Sequence, residues 1–141
     1  MNERQQIRSF RDLDVYQSLY KACLLVMLEI IPHLPTIERY DLRDQLSRSS
    51  KAAPRLVAEG YAKRHQRRGF QKYLDDALAE CNECIVSIEQ VKDIYFISPE
   101  QCIELVKIYD ICARQLFKLS IAWKQFSIQD PKSKPSNLTS I

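Results

Sequence analysis

The sequence predicts an all-α fold, a bundle of four helices. Three observations carry the prediction. Apolar residues recur at alternating three- and four-residue spacings in four long stretches. Only 2 glycines and 6 prolines occur in 141 residues, too few for a turn-dense sandwich or barrel. Hydrophobic residues make up 45% of a chain of one-domain length, so a core of useful size is within reach. The same glycine scarcity argues against a glycine-rich phosphate loop.

The first helix is expected from about Leu13 to Ile31, with Leu13, Tyr16, Tyr20, Cys23, Met27 and Ile30 as its inward stripe. Asp12 is placed to cap it, and Pro32 and Pro35 end it by breaking the hydrogen-bond ladder. The second helix is expected from Asp41 to Gly60, along Leu42, Leu46, Ser49, Ala53 and Leu56. Pro54 lies inside it and predicts a kink rather than a break. Gly60 is expected as its C-terminal cap.

The third helix runs from about Arg68 to Tyr95 or Phe96. Its stripe of Phe70, Leu74, Ala77, Cys81, Cys84, Ile88, Val91 and Tyr95 is the cleanest heptad-like pattern in the chain. The fourth opens at Ser98-Pro99-Glu100-Gln101, a capping-box pattern with proline at the first helical position. Its stripe is Cys102, Leu105, Tyr109, Cys112, Leu116, Leu119, Trp123 and Phe126. Ile108, Ile111, Phe117 and Ile121 widen that face, and Leu24, Leu25, Leu28 and Ile31 widen the first helix. Two readings are open: an oligomer interface, or the broad face that four-helix packing itself buries. Residues 1–126 are thus read as one bundle domain and residues 127–141 as a flexible polar tail.

The N-terminal MNERQQIRSF is charged and lacks the apolar run of a signal peptide. The longest uncharged apolar run, Ala22 to Leu28, is far short of the roughly 20 residues that span a bilayer. Five cysteines without framework spacing read as reduced thiols. The expectation is a cytoplasmic protein with no membrane partner.

The chemistry-bearing residues assemble into no reaction centre. Cys81-x-x-Cys84 lies mid-helix on a core stripe, not at a helix start where a thiolate is stabilised. Cys23, Cys102 and Cys112 also lie on core stripes, and neither His33 nor His65 has a helical partner, so no zinc set forms. Asp75 and Asp76 are adjacent and so point about 100° apart on a helix, which leaves no shared-proton dyad. Glu-x-x-His, the signature of a di-metal bundle, is missing. No enzymatic activity, cofactor or metal is expected.

Charge is where the sequence is uneven. From Arg39 to Lys72 there are ten Lys/Arg and three acids, +7, against +3 for the whole chain. Arg48, Lys51 and Arg55 share the outer face of the second helix, where Asp44 and Glu59 stand one turn from Arg48 and Arg55 as i,i+4 partners. The connection is unbalanced: Lys63, Arg64, Arg67, Arg68 and Lys72 lie between Gly60 and Leu74 with no acid. Tyr61, Phe70 and Tyr73 are interleaved. Such a patch suits phosphates; the alternative is a solvated loop. The candidate nucleic-acid contacts are therefore these five residues, with Arg48 and Arg55 as outlying members.

Several segments together resemble a known family. Ser9-Phe10-Arg11-Asp12-Leu13-Asp14-Val15-Tyr16 is similar to its F-x-D-L-x-V-[WY] signature, and Leu42 to Ser49 to its L-x-x-Q-[LI]-x-R-[AS] segment. Pro54 to Gly60 resembles I-P-x-N-I-A-E-G, Phe70 to Leu74 resembles F-x-x-[FY]-L, and Ala79 to Glu83 resembles G-S-x-x-E. The family is that of the S23 ribosomal, or 23S rRNA intervening-sequence, proteins, and the likeness covers residues 9 to about 126. This chain departs from it with Leu56 in place of the usual Asn, Gly69 in place of a common acid, a loop one residue longer, and no Ser cap. The resemblance implies a left-handed, up-down-up-down antiparallel bundle, a homopentamer and no catalysis. Relatives that assist diversity-generating retroelements bind a reverse transcriptase and nucleic acid. The expected function is a homo-oligomeric bundle that contacts RNA or DNA through its basic connection. The alternative is a protein-interaction scaffold, such as a reverse transcriptase accessory subunit, with no nucleic-acid contact of its own.

Overall fold

The structure, a computed structural model, describes residues 6–129, with side chains through Trp123. It is all-α, with four helices and no strand among the described residues: α1 (Asp14–Leu25), α2 (Leu42–Ala62), α3 (Gly69–Tyr95) and α4 (Pro99–Gln129). α3 packs along both α2 and α4, and α1 touches α2 and α4 more sparingly. The core lies between the four helices and includes Leu19, Val26, Leu46, Phe70, Ile88 and Tyr109 at full burial.

α1 starts one residue later than expected. Leu13 is extended, at φ −75° and ψ 125°, and makes no side-chain cap. Asp12 caps a different element. Ser9 opens a short 3-10 turn, Phe10–Asp12, with its Oγ accepting from Arg11 N (3.0 Å). The Asp12 carboxylate accepts from Arg8 N (2.7 Å) and Ser9 N (3.0 Å). This reciprocal box satisfies donors that would otherwise stay orphaned. Beyond α1, a π turn (Val26–Ile30) and a 3-10 turn (Ile31–His33) continue the rod.

The inward stripe of this first rod corrects the sequence reading. Val15, Leu19, Ala22, Val26 and Ile30 are buried, whereas Tyr16, Cys23 and Met27 are half-buried and Tyr20 is exposed. From Tyr16 to Met27 the expected stripe lies one residue, about 100°, around the helix, while Ile30 is buried as expected. Both stripes carry the same period. The choice falls to the one without tyrosines, whose hydroxyls keep a polar end in water. By length and composition the stretch Asp14–His33 could cross a membrane; in this fold its Val15, Leu19, Val26 and Ile30 are spent on the core.

α2 passes through Pro54 without a break and ends two residues beyond Gly60. Val57, not Leu56, completes its inward face. The start of α2 is held by Glu38, not Asp41: Glu38 Oε1 accepts from Leu42 N (3.1 Å), while its other oxygen accepts from the Tyr95 hydroxyl at the far end of α3. Gly60 is no cap. It is buried inside the helix, where an added Cβ would meet Tyr73 Cβ at 2.6 Å.

α3 matches its predicted stripe from Phe70 to Val91, all buried, with Tyr95 half-buried. Phe96 (φ 53°) and Ser98 (φ 41°) turn the chain into α4 in left-handed conformations. The Gln101 amide reaches across to Glu29 rather than back to Ser98, so the expected capping box does not close. Cys102, Leu105, Tyr109, Cys112 and Leu116 are buried as expected. α4 runs on to Gln129, past the expected boundary at 126. The Phe126 side chain and the rest of the predicted tail lie outside the described residues.

Candidate nucleic-acid interface

The α2–α3 connection is short and tightly wound. Lys63 N donates to Glu59 O and Gly60 O, Arg64 N to Tyr61 O, and Gln66 N to Lys63 O, all at 3.0–3.2 Å. Gly69 N then donates to Gln66 O (3.0 Å). Arg68 takes the left-handed conformation (φ 59°) that turns the chain into α3. An added Cβ on Gly69 would lie 2.3 Å from Lys63 O. That close approach explains why glycine stands here: any side chain would push the turn open.

This winding brings the five loop cations together at one end of the bundle, where they divide into two kinds. Lys63 and Arg64 are tethered. Lys63 Nζ donates to the Tyr73 hydroxyl (2.9 Å), and this bond, with Glu59 nearby, holds its ammonium above the ordinary lysine range. The Arg64 guanidinium stacks 4.0 Å over Tyr61 and donates to Tyr61 O (2.7 Å). Arg67, Arg68 and Lys72 are exposed. Among the described residues, none of the five makes an ion pair. Beneath them Tyr61 meets Phe70 edge-on (6.1 Å), and Phe70 meets Trp123 edge-on (4.6 Å), so the platform is continuous with the core.

The two outlying candidates fare differently. Arg48 is paired with Asp44 at 3.3 Å, as the i,i+4 spacing predicted. Arg55 is not paired with Glu59 among the described residues. It lines instead a groove between α1 and α2, a cavity of about 250 Å³. Lys51 shares the rim with it, and Phe10, Tyr16 and Tyr20 form the opposite wall. The sequence reading missed this set, because it put both tyrosines in the core. The usable signal was the four-residue repeat of Lys51 and Arg55 on a helix whose partner helix carries tyrosines at the same interval. A second, wider cavity of about 520 Å³, whose lining includes Met27, Arg39, Tyr40, Arg43, Asp44 and Ser47, lies toward the start of α2.

The cysteines are chemically quiet. Cys81 and Cys84 are buried and all five thiols are free. Burial pushes Cys84 up to about 12 and Cys112 up to about 11, far from the thiolate form a nucleophile or metal ligand needs. No cluster of three or more His, Cys, Asp or Glu suited to a metal occurs among the described residues.

No curated protein and no solved structure matches this chain. A family model does: that of the 23S rRNA-intervening sequence protein matches residues 11–118. The match runs from the turn before α1 to the last buried turns of α4 and takes in the whole basic connection. With four helices in place across that span, the chain belongs to the 23S rRNA-intervening sequence protein family.

Proposed function

We propose that this protein is a non-enzymatic, homo-oligomeric bundle that associates with RNA through the α2–α3 connection. One observation carries the reading: Arg67, Arg68 and Lys72 stand exposed at the start of α3, without a carboxylate partner among the described residues. Paired surface cations are already neutralised, whereas unpaired ones are available to phosphates and release counterions on contact. Lys63 and Arg64 add charge in fixed positions, each on a tyrosine. The bundle in this reading is antiparallel, up-down-up-down and left-handed. It assembles as a pentamer, so a weak patch is multiplied by avidity. Free thiols in the core suit a reducing, cytoplasmic setting.

Exposed apolar side chains support the oligomer. Leu24 and Leu28 on the first rod and Ile111, Phe117 and Ile121 on α4 all face outward. If those faces hold a foreign protein instead, such as a reverse transcriptase, the same surface serves a scaffold with no nucleic-acid contact of its own.

The test is fluorescence anisotropy of a labelled, structured RNA at low and physiological salt, with light scattering alongside. Binding that weakens steeply with salt is expected, and the R67E/R68E/K72E variant loses it while keeping its assembly state. Absence of binding at low salt, or binding indifferent to the charge reversal, overturns the RNA reading. A monodisperse monomer overturns the oligomer.

A further inference from the structure

We propose that the α1–α2 groove is a second site, one that seats unpaired nucleotides of a single-stranded nucleic acid. The inference rests on the nucleic-acid reading above and adds a ligand class that the basic connection does not select.

The argument begins with the two walls. On one side stand aromatic rings in mutual contact: Phe10 meets Tyr16 edge-on at 4.9 Å, and Tyr16 lies near-parallel to Tyr20 at 6.1 Å. Tyr20 is half exposed and lines the groove. On the other side Lys51 and Arg55 are exposed, one helical turn apart, with no ion pair to either among the described residues. Between them the floor is apolar, built from Cys23, Pro54 and Ala58. No acid lines the cavity. Burial holds the Cys23 thiol above its ordinary range, and the positive charges of Lys51 and Arg55 oppose that rise, so both cations stand close to the floor.

An aromatic wall facing a cationic wall is what single-stranded nucleic acid requires. Base faces stack on rings whatever their sequence, and phosphates follow the cations. The cations also repeat. Arg43, Lys51 and Arg55 fall on one ridge of α2 at multiples of four residues, with Ser47 between, a row of about 18 Å along the helix. Arg43 and Arg39 belong to the second cavity, where Tyr40 is almost fully exposed beneath the Arg39 guanidinium; the one acid in its lining, Asp44, is paired with Arg48. The row therefore extends from one cavity to the next, as a strand of several nucleotides would. A compact small molecule fits less well: at about 250 Å³ the first cavity is smaller than the roughly 300–1,000 Å³ of such sites.

The experiment is anisotropy of fluorescein-labelled oligo-U and oligo-dT, set beside a blunt RNA duplex of the same length. Wild type, Tyr20→Ala, Tyr20→Phe and K51E/R55E are compared at several salt concentrations, with melting curves to confirm folding. Tyr20→Ala is expected to weaken oligomer binding by roughly 5- to 150-fold per stacked base, and to move duplex binding less than twofold. Tyr20→Phe restores it, because the ring face is kept. K51E/R55E weakens it at every salt concentration and flattens the salt slope by about 1.4, for two phosphates lost. Oligo-U and oligo-dT bind alike. A bound oligomer also slows alkylation of Cys23, which lies in the floor. The proposal is overturned if Tyr20→Ala leaves oligomer binding intact, if it weakens duplex equally, or if an acidic peptide replaces the oligomer as the Tyr20-dependent ligand. If wild type binds duplex but no oligomer, the groove proposal fails and the basic connection stands. If it binds neither, both fail.

Discussion

Gly60 of α2 presses directly against Tyr73 of α3: a Cβ added at position 60 would lie 2.6 Å from Tyr73 Cβ and 2.9 Å from the Phe70 ring. The contact sets how closely the two helices approach just before the basic connection. It also fixes Tyr73 where Lys63 can donate to its hydroxyl. Alanine is the better helix former by about 1 kcal/mol, but the overlap is with a Cβ, which has no rotamer to escape into. Gly60→Ala is therefore expected to destabilise the protein by about 1–3 kcal/mol, the range for overpacked cores. Urea denaturation checks it. A stabilised variant would mean that α2 and α3 separate at little cost.

The Tyr109 hydroxyl is fully buried and makes no regular hydrogen bond. Its neighbour is the Cys84 thiol, a weak partner, and burial drives the phenol well above its ordinary range. A buried hydroxyl without a good partner is a net cost of folding. Tyr109→Phe keeps the ring and removes the cost, so stability should rise by about 0.5–1 kcal/mol. Chemical denaturation of the pair measures it; a loss beyond 1 kcal/mol would show that the hydroxyl is satisfied after all.

The third helix was legible because most residues flanking its apolar stripe are polar, with scattered exceptions such as Tyr73, Leu78 and Ile85 that form no competing stripe. The first was not. Tyr16 and Tyr20 repeat at the same interval as Val15 and Leu19, and periodicity alone does not choose between two apolar stripes one residue apart. The tyrosines went outward and became the wall of a groove. The five loop cations were legible from composition, since no acid interrupts them. The state of Arg55 was not, because spacing offers Glu59 as a partner and only the fold shows Arg55 unpaired among the described residues, at the edge of the groove. Gly60 was misread for the same kind of reason: a glycine near a helix end suits a cap, and only the approach of Tyr73 shows it packing.

Asp12 links a helix-start device to the groove. Its carboxylate holds Arg8 N and Ser9 N and so fixes the turn that carries Phe10. Asp12→Ala should cost about 1 kcal/mol, as lost caps do. Phe10 should also lose its place beside Tyr16, so single-strand binding should weaken while the basic connection is untouched. Melting curves and oligo-U anisotropy on the same preparation separate the two effects.

The buried thiols make stability fall at alkaline pH. Burial disfavours the thiolate and pushes Cys84 up to about 12 and Cys112 up to about 11 in the fold, against 9.0 for an ordinary thiol. The unfolded chain thus loses these protons first. A raised acidic group contributes stability that is complete below the unfolded value and is lost as pH climbs toward the folded one. Between pH 9 and 11 each thiol should cost about 1.4 kcal/mol per pH unit. Cys84→Ala and Cys112→Ala are expected to be less stable at pH 7, from lost packing, yet to show a shallower decline between pH 9 and 11. Guanidinium titrations at pH 7, 9 and 10.5 give both numbers. An equally steep decline in the variants would place the alkaline sensitivity in Cys81 and Tyr109, which burial also holds above their ordinary range.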